Sequence, residues 1–360
     1  MFVNHLELFS GIGGFRYAMD LLYRDFSFQF NNVGFSDIET NAINTYKQNF
    51  TTANEIEIGD IVLFVNKKNK IKSLPHFDFL TGGFPCQAFS MMGKQKGFDD
   101  LRGNVFFKII EILKIKKPKF ILLENVKNIL THNKKETFKI ILKAIEDAGY
   151  KYIYYDIFNS NSFALAQIRN RVFIFASRKK LPKNFSFNSE DVENSFLRII
   201  GQSSLMKQKH TYEVLEKEVD EKYYLSETIK PTILSNGTKN FKSKSEIDQL
   251  IARPLTATMA KMHRACQDNY FSDDYIQAAD PFEYSQKQFS KEEIIKKNIR
   301  RITPKEAFNL QGFSDDFYRK AKGVKTSDSQ LYKQAGNAVS VNTVYAILYY
   351  LFIELKIMGE

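Results

Sequence analysis

The chain has 360 residues, and its hydrophobic content of 43% is enough to form the core of one large domain or two smaller ones. Its two cysteines, Cys86 and Cys266, lie far apart in the sequence, which argues against a disulfide framework and for a reducing compartment. We find neither a leader-like start nor an apolar run of the roughly 18 residues that a bilayer span needs. The formal net charge of +11 favours an anionic partner without identifying it.

The first glycine-rich turn follows a strand-like segment that ends at Phe9. Residues Ser10-Gly11-Ile12-Gly13-Gly14-Phe15 lead from this segment into a helix predicted over 16–23. Glycines let the backbone approach a ligand closely, and the first turn of a helix offers free N–H groups. The pattern is therefore typical of a cofactor-binding turn, although an ordinary tight turn has a similar composition.

Acidic residues follow the next two strand-like segments. Asp37 ends the second strand, about 20 residues after the glycine turn, where dinucleotide-binding folds hold a ribose. A solvated loop acid is an equally good interpretation of this residue. Asp60, which precedes Ile61, either belongs to the same site or caps a helix. Further helices are predicted over 40–50, 104–116, 135–148 and 339–355.

The chain is organised around the stretch Gly82-Gly83-Phe84-Pro85-Cys86-Gln87-Ala88-Phe89-Ser90. It follows a buried strand predicted over 77–80, so Cys86 is expected at the carboxyl edge of a sheet, where α/β proteins bind ligands. A single cysteine is more often a buried turn residue. Here, however, the polar and glycine-punctuated segment 91–103 has the composition of a loop that closes over a site.

Charged side chains accompany two later strands. The apolar strand 120–123 ends in Glu124, and a carboxylate in that position is costly unless it is used or paired. The segment Gln167-Ile168-Arg169-Asn170-Arg171 leads into a strand over 172–176. Arginines at i and i+2 of an extended segment point the same way, so Arg169 and Arg171 can converge on an anion or a carbonyl group. A surface pair is the alternative.

From about 178 to 298 the alternation of strands and helices fades. This segment is polar and rich in lysine, and we interpret it as a second, smaller domain of short strands and loops. Basic side chains interleaved with hydroxyl groups suit contacts with phosphates and base edges, whereas a solvated basic face explains each residue singly.

Taken in order, these motifs resemble those of the DNA (cytosine-5)-methyltransferases, especially the small bacterial modification enzymes. The glycine turn resembles the family's cofactor turn, and Glu124-Asn125-Val126 resembles its acid motif. The other similar segments are the nucleophile motif Gly83–Ser90, the catalytic loop with Gly93–Phe98 and Arg102–Asn104, the Gln-x-Arg-x-Arg residues Gln167, Arg169 and Arg171, and the final motif Gly336–Val339. So many matches in the family's order argue against coincidence.

Two positions depart from the family pattern. Relatives often have Glu before the apolar residue of the second-strand motif and Asp after it, whereas this chain has Asp37-Ile38-Glu39. Ala338 stands in the final motif where Ser is common. A backbone contact would survive that change, and a hydroxyl contact would not.

The resemblance implies an α/β fold. We expect a doubly wound mixed sheet of the S-adenosylmethionine-dependent methyltransferase type (Rossmann-like), with a second, smaller, mostly irregular or β target-recognition domain. Residues 1–178 and 330–360 would form the catalytic and S-adenosylmethionine-binding domain. Residues 179–329 would form the target-recognition domain and hinge.

The resemblance also implies a reaction, namely methyl transfer from S-adenosylmethionine to C5 of a flipped-out cytosine in double-stranded DNA. The implied catalytic residues are Pro85, Cys86, Gln87, Glu124, Arg169 and Arg171. Cys86 would attack C6 of the ring, and Glu124, whose pKa burial should raise, would contact N3. Arg171, together with Arg169, would hold the 2-carbonyl and favour the thiolate.

Binding residues follow from the same resemblance. The implied cofactor contacts are Phe9, Gly11, Gly13, Gly14, Phe15, Asp37, Ile38, Asp60, Ile61, Pro85, Val105, Asn337 and Ala338. The implied DNA contacts are Ser90, Lys94, Lys96, Arg102, Arg253, Thr256, Thr258, Lys261 and Arg264. No metal is implied.

The expected protein is a monomeric, cytoplasmic bacterial enzyme without a membrane partner, and a restriction endonuclease of the same specificity is a possible partner. One alternative is a tRNA cytosine-5 methyltransferase, but that branch normally lacks a recognition insert as long as the one between Arg178 and Thr303. A non-catalytic DNA-binding relative is a second alternative, and the presence of Cys86, Glu124 and Arg171 argues against it. A nicotinamide-dependent dehydrogenase would leave Pro85-Cys86-Gln87 unexplained.

Overall fold

The computed structural model describes residues 2–85, 105–235, 237–238, 241–242, 245–259, 261 and 266–359. Contacts divide the chain into two compact units: Met1–Asn159, Asn170–Leu205 and Thr343–Glu360 form the first, and Ser160–Arg169 and Met206–Asn342 form the second. These limits differ from the predicted domain boundaries of 178/179 and 329/330. Residues 160–169 join the second unit because the side chains of Gln167 and Arg169 bond to its backbone.

The first unit is built on a seven-stranded sheet with the strand order β3-β2-β1-β4-β5-β7-β6. The strands are β1 (Phe2–Leu8), β2 (Gln29–Ser36), β3 (Ile56–Glu57), β4 (Phe79–Gly83), β5 (Phe120–Val126), β6 (Tyr152–Asn159) and β7 (Asn170–Ser177). Strands β1 to β5 pair in parallel, whereas β7 runs antiparallel to both β5 and β6. The predicted mixed sheet is thus confirmed.

Helices connect these strands. They are α1 (Gly14–Phe26), α2 (Thr40–Asn49), α3 (Ile61–Val65), α4 (Lys68–Ser73), α5 (Val105–Lys116), α6 (Glu136–Asp147) and α7 (Ser189–Ile199), with 3₁₀ turns at Lys127–Leu130, His132–Lys135 and Ile200–Gln202. The four helices predicted in this part of the chain are present with small shifts at their ends. Helix α6 illustrates the reason, because Phe138, Ile141 and Ile145 are all buried on one face.

The core of the first unit lies against the central strands. Residues 120–123 of β5 are completely buried, as expected of a strand covered on both faces. The end of the chain contributes to this core, because a π-helical segment, Tyr349–Glu354, returns to the sheet. The ring of Phe352 lies 5.0 Å from that of Phe79 and 5.4 Å from that of Phe30. Residues that are far apart in sequence therefore pack together in one hydrophobic core.

A buried polar network ties α1 and α2 to the sheet beneath the glycine turn. Arg16 on α1 donates to Glu55 at 2.5 Å, and the Tyr46 hydroxyl on α2 donates to Glu7 of β1 at 3.4 Å. Glu7 is completely buried, and this burial raises the pKa of its carboxyl group to about 8. His5, also buried on β1, has a pKa lowered by burial to about 3 and is therefore neutral at pH 7. The network links β1 to the two helices that flank the turn.

The second unit consists mainly of short elements. They are α8 (Lys230–Ile233), β8 (Gly237–Thr238), β9 (Phe241–Lys242), β10 (Tyr270–Ser272), α9 (Asp273–Ile276), α10 (Pro281–Ser285), α11 (Lys291–Ile295), β11 (Ile299–Arg301), α12 (Pro304–Leu310), α13 (Asp315–Gly323) and α14 (Asp328–Asn337), with 3₁₀ turns at Ser160–Phe163, Thr211–Glu213 and Glu221–Tyr223. Helix α15 (Val341–Leu348) follows α14 and leads into the π-helical segment. The irregular connections agree with the predicted domain, but among the described residues short helices outnumber strands, so the expectation of a mostly irregular or β domain is only partly met.

A buried ion pair holds part of the second unit together. Arg300 of β11 donates to both carboxylate oxygens of Glu306 on α12, at 2.8 and 2.9 Å, and both residues are almost completely buried. The same carboxylate accepts the backbone N–H groups of Thr303 and Glu216, each at 2.7 Å. Since the charge is both paired and hydrogen-bonded, its burial is tolerated.

Within the described residues, one helical stretch, Asp328–Glu354, is long and apolar enough to cross a membrane by length and composition alone. The sequence pattern predicts only the part of it over 339–355. In the structure, 83% of its most apolar window is buried, and extended backbone at Ala338 interrupts the helix. The stretch therefore has the character of a core helix.

Replacing Arg300 by Met should destabilise the protein by about 3–5 kcal/mol, because Glu306 would keep a buried charge without its partner. The measurement is the free energy of unfolding in urea. The double variant R300M/E306Q should recover at least half of the loss, since glutamine removes the charge and keeps an acceptor oxygen. A single-variant loss below about 1 kcal/mol would contradict this account.

Replacing Glu7 by Gln should flatten the pH dependence of stability. The folded state keeps the Glu7 proton up to about pH 8, whereas the unfolded state loses it near 4.5. The free energy of unfolding therefore falls as pH rises between these two pKa values, by up to about 1.4 kcal/mol for each pH unit. Wild type should lose stability relative to E7Q from pH 5 to 8, measured by thermal unfolding. Exposed Glu136→Gln is the control, and parallel curves for E7Q and wild type would refute the assignment.

Candidate active site

Pairing registers bring the carboxyl ends of four parallel strands to one edge of the sheet. Leu8, the last residue of β1, pairs with Ser36 of β2 and with Gly82 of β4. Gly83 of β4 pairs in turn with Glu124 of β5. The predicted motifs that follow these strands therefore begin at a common edge, which is where open α/β sheets bind their ligands.

The glycine turn after β1 has a backbone conformation that favours glycine. Phe9, Gly11 and Gly13 have φ values of 54°, 54° and 88°, in the left-handed region. At Gly13 a Cβ atom would lie 2.4 Å from the ring of Phe50, so only glycine fits. Gly14 and Phe15 are buried at the start of α1, which makes Phe15 a core residue.

Asp37 connects the second strand to the glycine turn. Its two carboxylate oxygens accept the backbone N–H groups of Gly11 at 2.7 Å and Glu39 at 2.8 Å. Burial raises the pKa of Asp37, and these two N–H groups oppose the rise. A carboxylate can accept further bonds, so Asp37 can hold the glycine turn and a ribose together. The next residue, Ile38, is 71% exposed and offers an apolar surface beside it.

Asp60 caps a helix, which is the alternative that the sequence left open. Its carboxylate accepts the backbone N–H groups of Val62 at 2.7 Å and Leu63 at 3.3 Å. Ile61 packs into the apolar core and is 3% exposed, whereas Leu63 is 66% exposed. Contacts of Asp60 and Ile61 with a cofactor remain predictions, and so does the contact of the half-buried Val105 at the start of α5.

Glu124 and Arg171 form an ion pair at the carboxyl end of β5. Arg171 Nε lies 2.9 Å from a carboxylate oxygen of Glu124, and their side chains are only 18% and 10% exposed. The pair follows from the antiparallel register, in which Arg171 of β7 lies opposite Val126 of β5. Because 124 and 126 share one face of the strand, the two charged groups meet diagonally.

Asn125 is a site residue to which the sequence analysis gave no role. It is buried, and its side-chain amide donates to the Phe84 carbonyl at 2.8 Å. It thereby fixes the backbone two residues before Cys86. The amide residue beside the strand-end acid was the sequence signal for this role. Its partner could not be predicted, because the two bonded residues lie 41 positions apart.

Several predicted residues lie outside the described part of the chain. They are Cys86, Gln87, Ser90, Lys94, Lys96, Arg102 and Arg264. Pro85, the last described residue of its segment, is exposed, and Phe84 before it is buried. In the described residues, no group of three or more His, Cys, Asp or Glu side chains is arranged to hold a metal ion.

The other residues of the Gln-x-Arg-x-Arg motif bond within the second unit. Gln167 is completely buried, and its side-chain amide contacts the backbone of Leu255 and Leu310, each at 2.9 Å. Arg169 donates to the carbonyl groups of Leu255 at 3.0 Å, Gly336 at 3.0 Å and Ala338 at 2.8 Å. The two arginines of the motif therefore have different kinds of partner.

The described DNA candidates of the second unit differ in accessibility. Arg253 is half-buried and donates to the backbone carbonyls of Glu246 at 3.0 Å and Asp268 at 3.5 Å. One nitrogen of its guanidinium group is therefore engaged, and its contact with DNA remains a prediction. Thr256 is partly buried, whereas Thr258 and Lys261 are exposed.

The final motif lies at the end of α14. Asn337 is exposed, whereas Ala338 is buried and its carbonyl group accepts from Arg169. The Ala338 carbonyl group is thus engaged with a protein side chain. Contacts of Asn337 and Ala338 with the cofactor remain predictions.

Known proteins are similar to this chain in sequence and in fold. A family model described as C-5 cytosine-specific DNA methylase matches residues 3–352. The type II methyltransferase M1.ScrFI of Lactococcus lactis subsp. cremoris is 35% identical over 342 residues, which cover 95% of this chain and 76% of that protein. The type II methyltransferase M.NlaX of Neisseria lactamica is 32% identical over 346 residues, which cover 95% and 94%.

A solved structure, the Dnmt2 methyltransferase of S. pombe, has a TM-score of 0.70 over 99% of both chains at 19% identity, which is a likeness of fold alone. The mixed sheet is that of the S-adenosylmethionine-dependent methyltransferases. The match to the family model spans nearly the whole chain. The chain therefore belongs to the C-5 cytosine-specific DNA methylase family and is an enzyme that uses S-adenosylmethionine to methylate cytosine at C5 in DNA.

Proposed function

We propose that the enzyme methylates one cytosine in a specific double-stranded DNA sequence through a covalent bond between Cys86 and C6 of the base. The observation that carries this proposal is the Glu124–Arg171 ion pair, with its 2.9 Å contact. It lies at the carboxyl end of β5, and the neighbouring strand β4 leads directly to Cys86. The order of the sequence along β4 and the pairing of β4 with β5 support a site in which Cys86 acts beside this acid and this cation.

The nucleophile is needed because C5 of cytosine reacts poorly with electrophiles. Attack of the Cys86 thiolate on C6 makes C5 the carbon of an enamine, which can accept a methyl group. Loss of the C5 proton to a base and expulsion of the thiolate then restore the aromatic ring. The target base has to leave the helix to reach the thiol, so we include base flipping in the proposal.

Glu124 and Arg171 act on the polar edge of the ring. In its protonated form Glu124 donates to N3 and draws electron density away from C6, which favours the attack. Nε and Nη1 of Arg171 bond to Glu124 and to the Asn170 carbonyl among the described residues, so we assign Nη2 to the 2-carbonyl of cytosine. Asn125 holds the Phe84 carbonyl and thereby orients the segment that leads to Cys86.

The described residues at the glycine turn fit S-adenosylmethionine. When bound, this cofactor supplies a methyl group on a positively charged sulfur. The open space at Gly11 would leave room for its amino-acid end, Asp37 would accept its ribose hydroxyl groups, and Ile38 would cover its adenine. These assignments require no metal ion.

The biological setting is part of the same proposal. The names of the two relatives are those of type II methyltransferases, which supports a modification enzyme of a restriction–modification system. A restriction endonuclease of the same specificity would then be the functional partner. We further propose that the enzyme acts as a cytoplasmic monomer, since it modifies one strand at a time, and that the second unit reads the DNA sequence.

Replacing Cys86 by Ala should reduce methyl transfer by more than about 10³-fold, because the ring can no longer be activated at C6. The measurement is the transfer of tritiated methyl groups from S-adenosylmethionine to plasmid DNA. Cys266→Ala removes the other thiol and should retain wild-type activity. Activity of C86A within about tenfold of wild type would refute the covalent mechanism.

Duplex DNA should be methylated and tRNA should not, since the family model is that of a DNA methylase. Equal amounts of both substrates, incubated with tritiated S-adenosylmethionine, test this expectation. Bisulfite sequencing of the methylated plasmid then gives the recognition sequence. Label in tRNA alone would support the RNA alternative, and label in neither would support a non-catalytic relative.

A further inference from the structure

The Gln-x-Arg part of the Gln-x-Arg-x-Arg motif forms a clamp on one residue of the second unit. The Oε1 atom of Gln167 accepts the Leu255 N–H group at 2.9 Å, and Nη1 of Arg169 donates to the Leu255 carbonyl at 3.0 Å. Both backbone groups of Leu255 are therefore bonded to side chains of the motif. Leu255, Gln167 and Arg169 are all buried, so water does not compete for these bonds.

Other bonds fix the backbone just before Leu255. Ala252 pairs with Gln167 in a parallel bridge, in which Ile168 N–H donates to the Ala252 carbonyl at 2.9 Å. The side chain of Asn269 bonds to both backbone groups of Arg253, at 2.7 and 3.1 Å. Three of the four residues 252–255 are thus held through their own backbone.

The segment after Leu255 is held against the end of α14. Nη2 of Arg169 donates to the carbonyl groups of Gly336 and Ala338, at 3.0 and 2.8 Å. A Cβ atom on Gly336 would lie 2.3 Å from the Thr256 carbonyl carbon, so the two backbones touch. Arg169 therefore joins the 255–256 backbone to the turn at Gly336–Ala338.

We propose that Gln167 and Arg169 are positioning residues for DNA recognition, because together they set the register of the 252–256 backbone, which ends at Thr256 and leads to Thr258. This inference rests on the proposed role of the second unit in reading DNA. Thr258 is exposed two residues beyond the held segment, and Thr256 lies at its end. The resemblance predicts that Arg169 helps to hold the cytosine carbonyl group. We propose instead that Arg169 acts indirectly, by positioning the 252–256 backbone.

The geometry of the clamp explains why arginine stands at this position. A guanidinium group offers donors in a fixed plane and can reach three carbonyl oxygens at once, whereas a lysine ammonium group is a compact point donor on a flexible stem. Arg169→Lys should therefore keep the charge and loosen the link between Leu255 and the end of α14. The result expected is a mispositioned recognition segment in a protein that still carries Cys86, Glu124 and Arg171.

The test compares Arg169→Lys with Arg171→Lys in the full chain. Two quantities are measured for each: the single-turnover methylation rate at saturating cognate DNA, and the ratio of kcat/KM between the cognate site and sites changed at one base pair. R169K should lower this ratio at least tenfold, which is within the cost of one base-pair mismatch, and keep the single-turnover rate within about threefold of wild type. R171K should lower the single-turnover rate and leave the ratio unchanged.

Gln167→Met provides a second variant in case R169K does not fold. It removes the amide bonds to Leu255 and Leu310 and keeps the volume and the Arg169 bonds, so it should also lower the discrimination ratio. A lower single-turnover rate for R169K with unchanged discrimination would overturn the proposal and return Arg169 to the catalytic group. Unchanged discrimination in Q167M would overturn it as well. Wild-type enzyme that methylates no DNA would instead refute the proposed function itself.

Discussion

Strand β4 lies between β1 and β5, and its pairing register decides which side chains meet at the carboxyl edge of the sheet. Gly82 pairs with Leu8 and Gly83 pairs with Glu124, so the glycine turn, the cysteine segment and the acid all start from adjacent strands. A register shift of one residue would turn Glu124 to the opposite face of the sheet. The Glu124–Arg171 ion pair depends in addition on the antiparallel register of β5 and β7, and the buried core around residues 120–123 holds β5 in place.

Some buried polar groups of this protein support the fold, and others belong to the proposed reaction site. The network of Glu7, Arg16 and Glu55 fixes the helices beside the glycine turn, and the Gln167–Arg169 clamp fixes the backbone of residue 255. Both are costly to bury. The clamp is held by several short bonds, which makes its geometry well defined, whereas Glu7 accepts one long bond from Tyr46. The Glu124–Arg171 ion pair differs because it lies at the strand end that the proposed substrate reaches. Closely spaced charged residues of one motif can therefore serve different purposes.

Much of the site could be predicted from the sequence because it follows local rules. Glycines before a helix and an acid at the end of an apolar strand are readable from neighbouring residues, and the structure has the turn at Gly11–Gly14 and Glu124 in β5. The convergence of Arg169 and Arg171 was inferred from i, i+2 alternation, but the regular strand begins only at Asn170. The assignment of residues 160–169 to the second unit depends on bonds across 86 and 143 residues. No local pattern encodes such distant partners.

Cys86 follows β4, Glu124 lies in β5 and Arg171 lies in β7, and the proposed mechanism gives the thiol a transient bond to the base. The central claim is therefore that Cys86 is the covalent partner of cytosine. Trapping on duplex DNA with 5-fluorocytosine at the target position tests it most directly, because fluorine blocks the loss of the C5 substituent and leaves the protein attached. Digestion and mass spectrometry of the trapped complex then identify the modified residue. We expect the peptide that contains Cys86 to carry the nucleotide, and a trapped complex linked through Cys266 or through another residue would contradict the account.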